Sequence, residues 1–268
     1  MSGPAGVGEL LERRDEGGVA TLTLNRPARY NALSLALLDR LEAAVASLAR
    51  EPAVRVVVLA GAGKAFCAGH DLKEIHDSAD PRIASDVFER AGRLMLALTR
   101  LPQPVIARVH GAAYAAGCQL VAQCDLAVTV PHARFATSGV SYGIFCSTPG
   151  VPLARNISRK QAMEMLLTGE PIDAAAALAR GLVNRVVPET DLDAEIQRLA
   201  QAIIAKSPAV VAAGKKVFYG QVDQGLDEAY RLATAAMIDC VGSADGQEGI
   251  AAFVEKREPK WKSAIRDS

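Results

Sequence analysis

The chain has 268 residues, half of them hydrophobic but only 4% aromatic, and its 30 basic and 30 acidic side chains cancel to a formal net charge of zero. Such a length can bury a substantial core, which this composition builds from Ala, Leu and Val. The balanced charge excludes the broad basic field of a nucleic-acid binder, and the absence of a long uncharged apolar run excludes a membrane-spanning helix.

Residues 1–18 read as an N-terminal extension. They lack an apolar signal core, and the acidic Glu9, Glu12, Asp15 and Glu16 disfavour a mitochondrial presequence, so a cytoplasmic location is expected. Residues 19–25 read as a strand. Residues 34–50 carry apolar side chains at helical spacing, with Ser34 placed to cap the helix. Residues 54–60 form a β-branched run of the kind found in strands buried on both faces. A short helix over 72–76 follows Asp71, whose expected role is its cap. Residues 86–100 read as a helix stopped by Leu101-Pro102-Gln103-Pro104. A strand over 105–109, a short helix over 115–123 and a strand over 125–130 complete an alternating pattern, which implies an α/β core with mainly parallel strands. From residue 158 the pattern is helical, over 159–168, 174–180, 192–206, 208–219, 225–241 and 246–255, with one strand-like stretch at 183–187. This divides the chain into a core over 19–200 and a C-terminal helical region over 201–268.

The five cysteines (67, 118, 124, 146 and 240) are odd in number and lack CxxC spacing, so free buried thiols are expected. The four histidines show no metal-ligand spacing, and no metal is expected.

Two runs carry the chemistry. Ala65-Phe66-Cys67-Ala68-Gly69-His70-Asp71-Leu72 and His110-Gly111-Ala112-Ala113-Tyr114-Ala115-Ala116-Gly117-Cys118-Gln119-Leu120 each set small residues between a strand-like and a helix-like stretch. Small side chains let a ligand approach the main chain, and a helix start offers unpaired N–H groups. Two such turns can converge on one oxygen and stabilise its negative charge.

The ordered pair resembles the crotonase (enoyl-CoA hydratase/isomerase) superfamily. The resemblance runs from Thr23-Leu24-Asn25-Arg26-Pro27 and Asn31-Ala32-Leu33, through Met163 to Glu170 and Gly181-Leu182-Val183-Asn184, to Gln247-Glu248-Gly249 and Phe253-Val254-Glu255-Lys256. It implies a spiral of β-β-α turns, with C-terminal helices that assemble a homotrimer or a dimer of trimers. It implies no prosthetic group, and an acyl-CoA thioester as the bound small molecule. By that resemblance the thioester carbonyl is held by the N–H groups of His70 and Ala116. The coenzyme A moiety would meet Arg26, Arg29, Cys67, Ala68, Gly69, Phe253 and Lys256.

Hydratases of that superfamily use two glutamates to activate and protonate. At the matching positions this chain has Gln119 and Gly139. An amide exchanges no proton near neutral pH, and glycine has no side chain to do so. Each missing acid or base is worth about 10²–10⁴ in rate, so ordinary hydratase activity is expected to be poor, with Gln119→Glu plus Gly139→Glu raising it.

His70 has an ordinary pKa suited to acid–base work. A histidine there also resembles the superfamily's decarboxylases of malonyl-type CoA, whose second feature, a tyrosine in a later loop, is Cys146 in this chain. Tyr142, Ser141 and Ser147 are placed in the loop facing the acyl group. Three readings follow: an acyl-CoA enzyme of fatty-acid metabolism, a decarboxylase of a malonyl-type CoA, and a non-catalytic acyl-CoA-binding protein.

Overall fold

The computed structural model describes residues 9–262. Strand β1 (Leu11–Glu16) turns through Gly17 and Gly18, at φ of +56° and +82°, into β2 (Val19–Leu24). A two-residue turn with both φ positive suits the twist of a hairpin, and glycine reaches it without strain. Helix α1 (Leu35–Leu48) starts where Ser34 Oγ accepts the N–H of Leu37 at 3.3 Å. Its Leu37, Leu38, Leu41, Val45 and Leu48 fall on one face and are buried.

Next come β3 (Val56–Gly61), β4 (Ala65–Cys67), α2 (Leu72–Asp77) and α3 (Ile83–Arg100). Strands β5 (Val105–Val109) and β6 (Ala112–Tyr114) lead to α4 (Ala116–Gln123). Strands β7 (Leu126–Thr129) and β8 (Arg134–Ala136) lead to α5 (Ser147–Asn156). Each unit thus supplies two strands and then helix. The first strands of successive units join a six-stranded sheet, ordered β1-β2-β3-β5-β7-β10, in which all neighbours but β1 and β2 are parallel. The second strands join a smaller sheet, ordered β4-β6-β8-β9. This is the expected spiral. Phe66 and Phe135, two of the chain's few aromatics, are fully buried between layers otherwise filled by aliphatic side chains.

The helical region contains α6 (Arg159–Thr168), β9 (Ile172–Asp173), α7 (Ala174–Arg180), β10 (Arg185–Val186), α8 (Leu192–Ile204), α9 (Pro208–Gln221), α10 (Leu226–Gly242) and α11 (Ala244–Glu255). A buried ion pair ties α9 to the core. Lys215 Nζ donates to Asp125 Oδ2 at 2.6 Å and to the carbonyls of Leu98 and Gln103, while Tyr219 donates to Asp125 Oδ1 at 2.8 Å. Helix α10 has no buried residue, and it exposes Leu226, Tyr230, Met237 and Ile238.

Three features depart from the sequence expectations. The segment expected as an extension carries β1, paired in register with β2 from Leu11 opposite Leu24 to Glu16 opposite Val19; residues 1–8 of it, like 263–268, lie outside the described residues. Strands β4, β6 and β8 have three residues each, too few for a period of two to emerge from sequence. Ser147 opens helix α5 instead of lying in a loop; Pro149, Gly150 and Pro152 disguise that helix in the sequence.

Candidate active site

Strands β4, β6 and β8 are parallel neighbours, with Ala113 opposite both Cys67 and Phe135. Their carboxyl ends therefore lie side by side. Open α/β sheets bind ligands at such ends.

The first turn leaves β4 at Cys67. Leu33 donates its N–H to the Gly69 carbonyl at 2.8 Å, and Asp71 donates to the Leu33 carbonyl at 3.1 Å. In this parallel bridge the bonds to Leu33 come from the residues flanking His70. The N–H of His70 itself therefore faces away from Leu33. The second turn leaves β6, where Ala115 donates to the Ala136 carbonyl at 2.8 Å. Ala115 has φ of +48°, uncommon for a residue with a Cβ, and it turns the chain into α4. Ala116 is the first residue of that helix, so its N–H has no intrahelical acceptor.

The two turns touch. A Cβ built on Gly69, at φ of +102°, would lie 2.9 Å from Ala115 Cβ and 3.3 Å from Ala116 N. One on Gly117 would lie 2.0 Å from the Cys67 carbonyl. Glycine at both positions is what permits the approach. The N–H groups of His70 and Ala116 thus come from adjoining turns, an arrangement that can hold one carbonyl oxygen.

The surrounding side chains are neutral. Burial pushes the His70 imidazole down from 6.5 to about 4, and its ring packs edge-on against Phe88 with centroids 4.9 Å apart. Both ring nitrogens lack a hydrogen-bond partner among the described residues, as do the buried Oε1 of Gln119 and Oγ1 of Thr137. Thr137 follows Ala136, whose carbonyl anchors the second turn; the sequence assigns it no role, because a threonine after a short strand carries no distinctive chemical pattern. Gly139 donates its N–H to Cys146 Sγ at 3.3 Å. Burial pushes the Cys146 thiol up, away from the thiolate a nucleophile requires, so it lines the site without activation. Tyr142 is 68% exposed on the 3₁₀ turn of residues 138–142, so its hydroxyl faces solvent.

The residues expected to receive coenzyme A divide into two groups. Arg29 and Ala68 are exposed next to the first turn, and Gly69 is buried within it. Cys67 is fully buried and its thiol is pushed up to about 12 by burial, so its side chain belongs to the core. Arg26 is turned inward: it pairs with Asp71 Oδ2 at 2.8 Å and donates to the Ala32 carbonyl. These internal contacts engage both of its terminal nitrogens. Asp71 caps α2 as expected, accepting the N–H of Glu74 at 3.3 Å. Phe253 and Lys256 are exposed at the end of α11, which packs on α9 and α10. Among the described residues, no hydrogen bond or ion pair joins either to the two turns.

Residues 14–264 match the family model described as enoyl-CoA hydratase/isomerase, and the chain belongs to that family, with its crotonase fold. Its relatives include the enoyl-CoA hydratase domain-containing protein 3, mitochondrial, of Mus musculus, 46% identical over 97% of this chain and 88% of the relative. A crystal structure of the human protein of that name superimposes with a TM-score of 0.92 at 45% identity, covering 94% of this chain and all of the other. An enoyl-CoA hydratase structure from Mycobacterium smegmatis gives 0.92 at 53% identity, covering 95% of this chain and all of the other.

Proposed function

We propose that this protein binds acyl-CoA thioesters, holding the thioester carbonyl between the N–H groups of His70 and Ala116, and that it hydrates enoyl-CoA poorly. The observation that carries this reading is the contact between the two turns, which sets two main-chain donors beside each other while Gln119 and Gly139 stand in place of acid–base carboxylates. The carbonyl site needs no particular side chain, whereas addition of water needs a proton acceptor and a donor. The test is a panel of crotonyl-, butyryl-, malonyl- and methylmalonyl-CoA, scored for binding and turnover. Binding without appreciable hydration is expected. A crotonyl-CoA turnover of about 10–10³ s⁻¹, ordinary for a competent enzyme, would overturn it. Binding without any turnover favours a non-catalytic acyl-CoA protein.

The run Ala68-Gly69-His70-Asp71, which resembles that of the superfamily's decarboxylases, supports one second reading, decarboxylation of a malonyl-type CoA. Loss of CO₂ breaks the carbon–carbon bond and leaves its electron pair in an enolate. The two N–H groups would stabilise that enolate without a base removing a proton. Release of CO₂ from malonyl-CoA in the same panel decides it.

The exposed apolar side chains of α10 support assembly into a homotrimer or a dimer of trimers. A cytoplasmic location is the expectation from the sequence, whereas the vertebrate relatives carry the word mitochondrial in their names. Cell fractionation separates the two.

A further inference from the structure

We infer that the Arg26–Asp71 ion pair is a positioning device for the N–H of His70. The inference rests on the carbonyl-binding reading above. Its basis is the way residues 26–35 grip the first turn along its whole length. Asn31 is fully buried at φ of +57°, a left-handed conformation that asparagine tolerates. Its Oδ1 accepts the N–H of Arg26 at 2.9 Å, and its Nδ2 lies within hydrogen-bond distance of the carbonyls of Ala62, Ala65 and Phe66. Ala68 donates to the Tyr30 carbonyl at 3.0 Å, and Leu33 bridges Gly69 and Asp71. One step beyond the turn, Glu74 Oε2 accepts the N–H of Leu35 at 3.0 Å.

Arg26 closes this grip with both terminal nitrogens, one on the Ala32 carbonyl and one on Asp71 Oδ2. The two side chains are only 17% and 12% exposed. Burial alone would raise the Asp71 carboxyl, but the bonds from Arg26 and the Glu74 N–H, with the charges of Arg26 and Arg29, hold it below its ordinary value. The charged pair is thus the favoured state. Asp71 follows His70 directly, and Ala32 precedes the residue that bridges it. The guanidinium therefore spans the two strands of chain whose separation fixes the tilt of the His70 peptide. A hydrogen bond weakens steeply as its angle falls, so a small rotation there matters to a bound carbonyl and not to a phosphate elsewhere.

The experiment compares wild-type protein with Arg26→Met and Asp71→Asn. Calorimetry gives the affinities for free CoA and for butyryl-CoA. Isotope-edited infrared spectroscopy of ¹³C-carbonyl butyryl-CoA reports the polarisation of the bound thioester. Selective ¹⁵N-histidine labelling reports four backbone amides, since the chain has four histidines. In both variants the affinity for CoA is expected to hold within about twofold, while the preference for butyryl-CoA falls about tenfold, the scale of one ordinary hydrogen bond. The carbonyl band is expected to move back toward its free position, and the His70 amide signal to shift while those of His110 and His132 stay. Arg26→Lys, which keeps the charge but loses the fork, is expected to fall between, and it carries the test if Arg26→Met does not fold.

An unchanged preference and carbonyl band in the variants overturns the positioning role alone. Equal losses for CoA and butyryl-CoA overturn it too, and return Arg26 to the phosphate end. Wild-type protein that binds CoA with no preference for the thioester overturns the carbonyl-binding reading itself.

Discussion

Cys146 Sγ sits against the main chain of Gly139, accepting its N–H at 3.3 Å, and a Cβ at Gly139 would lie 2.8 Å from that sulfur and 2.4 Å from the Ile144 carbonyl. The position that the family resemblance matches to a hydratase carboxylate is therefore closed by packing as well as by residue type. The sequence alone suggests that adding both glutamates raises hydration; the packing argues otherwise. Gly139→Ala is expected to destabilise the protein by about 1–3 kcal/mol, the range for forcing atoms into a filled site. Gly139→Glu, alone or with Gln119→Glu, is expected to lower the urea midpoint without adding crotonyl-CoA hydration. A gain of hydration at unchanged stability would show that residues 144–146 yield freely.

The burial of His70 makes stability depend on pH. Its folded pKa, about 4, lies below the ordinary 6.5. Below pH 6.5 the unfolded chain takes up a proton that the folded chain does not, so this group lowers stability as pH falls from 7 toward 4, and its effect levels off below that. Between pH 7 and 5 the difference amounts to about 2 kcal/mol by linkage. His70→Gln should remove that part of the dependence. Parallel urea curves at the two pH values check this, and an identical slope in both proteins would mean that the imidazole is solvated.

How much of this was legible beforehand depended on the length of each element. Helices α6 and α7 have the bounds that the periodicity predicts, and Ser34 caps α1 as its position suggests. Strand β5 also has its expected ends, because five consecutive apolar-rich residues after Pro104 leave little choice. The three-residue strands that aim the turns were not legible, since their conformation is set by pairing with one another. Nor was the inward turn of Arg26: a charged side chain beside Pro27 reads as a surface group, and only the approach of Asp71, 45 residues later, gives it a buried partner. The two turns were legible as small-residue runs before helix starts, while the choice of His70 and Ala116 within them came from the family resemblance.

The Lys215–Asp125 pair gives a stability prediction. The ammonium side chain is 6% exposed. Burial pulls the Lys215 pKa down, against the charge of Asp125 and its hydrogen bond. Lys215→Met leaves Asp125 buried beside Tyr219 without its cation, and is expected to destabilise by about 3–5 kcal/mol. Tyr219→Phe, which removes one bond to the same carboxylate, is expected to cost about 1.5–3 kcal/mol. Chemical denaturation of the two variants checks the order, and equal small losses would place the anchor of α9 elsewhere.

Helix α10 gives an assembly prediction. Tyr230, Met237 and Ile238 are 68%, 65% and 67% exposed on a helix without a buried residue. Contiguous apolar exposure of this kind marks an interaction surface. Sedimentation at micromolar concentration is expected to give a trimer or twice that mass, and Met237→Glu with Ile238→Glu to shift it toward smaller species. A monomeric wild-type protein would remove the support for assembly.

The contact between Gly69 and the Ala115–Ala116 turn has a consequence for how this scaffold can diversify. The spacing of the two N–H groups is set by main chain meeting main chain, while proton transfer depends on side chains, of which only His70 among positions 70, 119 and 139 can titrate. Carbonyl polarisation and proton traffic are therefore written in separable parts of the chain. On the proposed carbonyl-binding reading, a lineage can exchange glutamates for glutamine and glycine, and so leave one reaction, while keeping both main-chain donors. On that reading, new chemistry on this frame begins from a molecule that already binds.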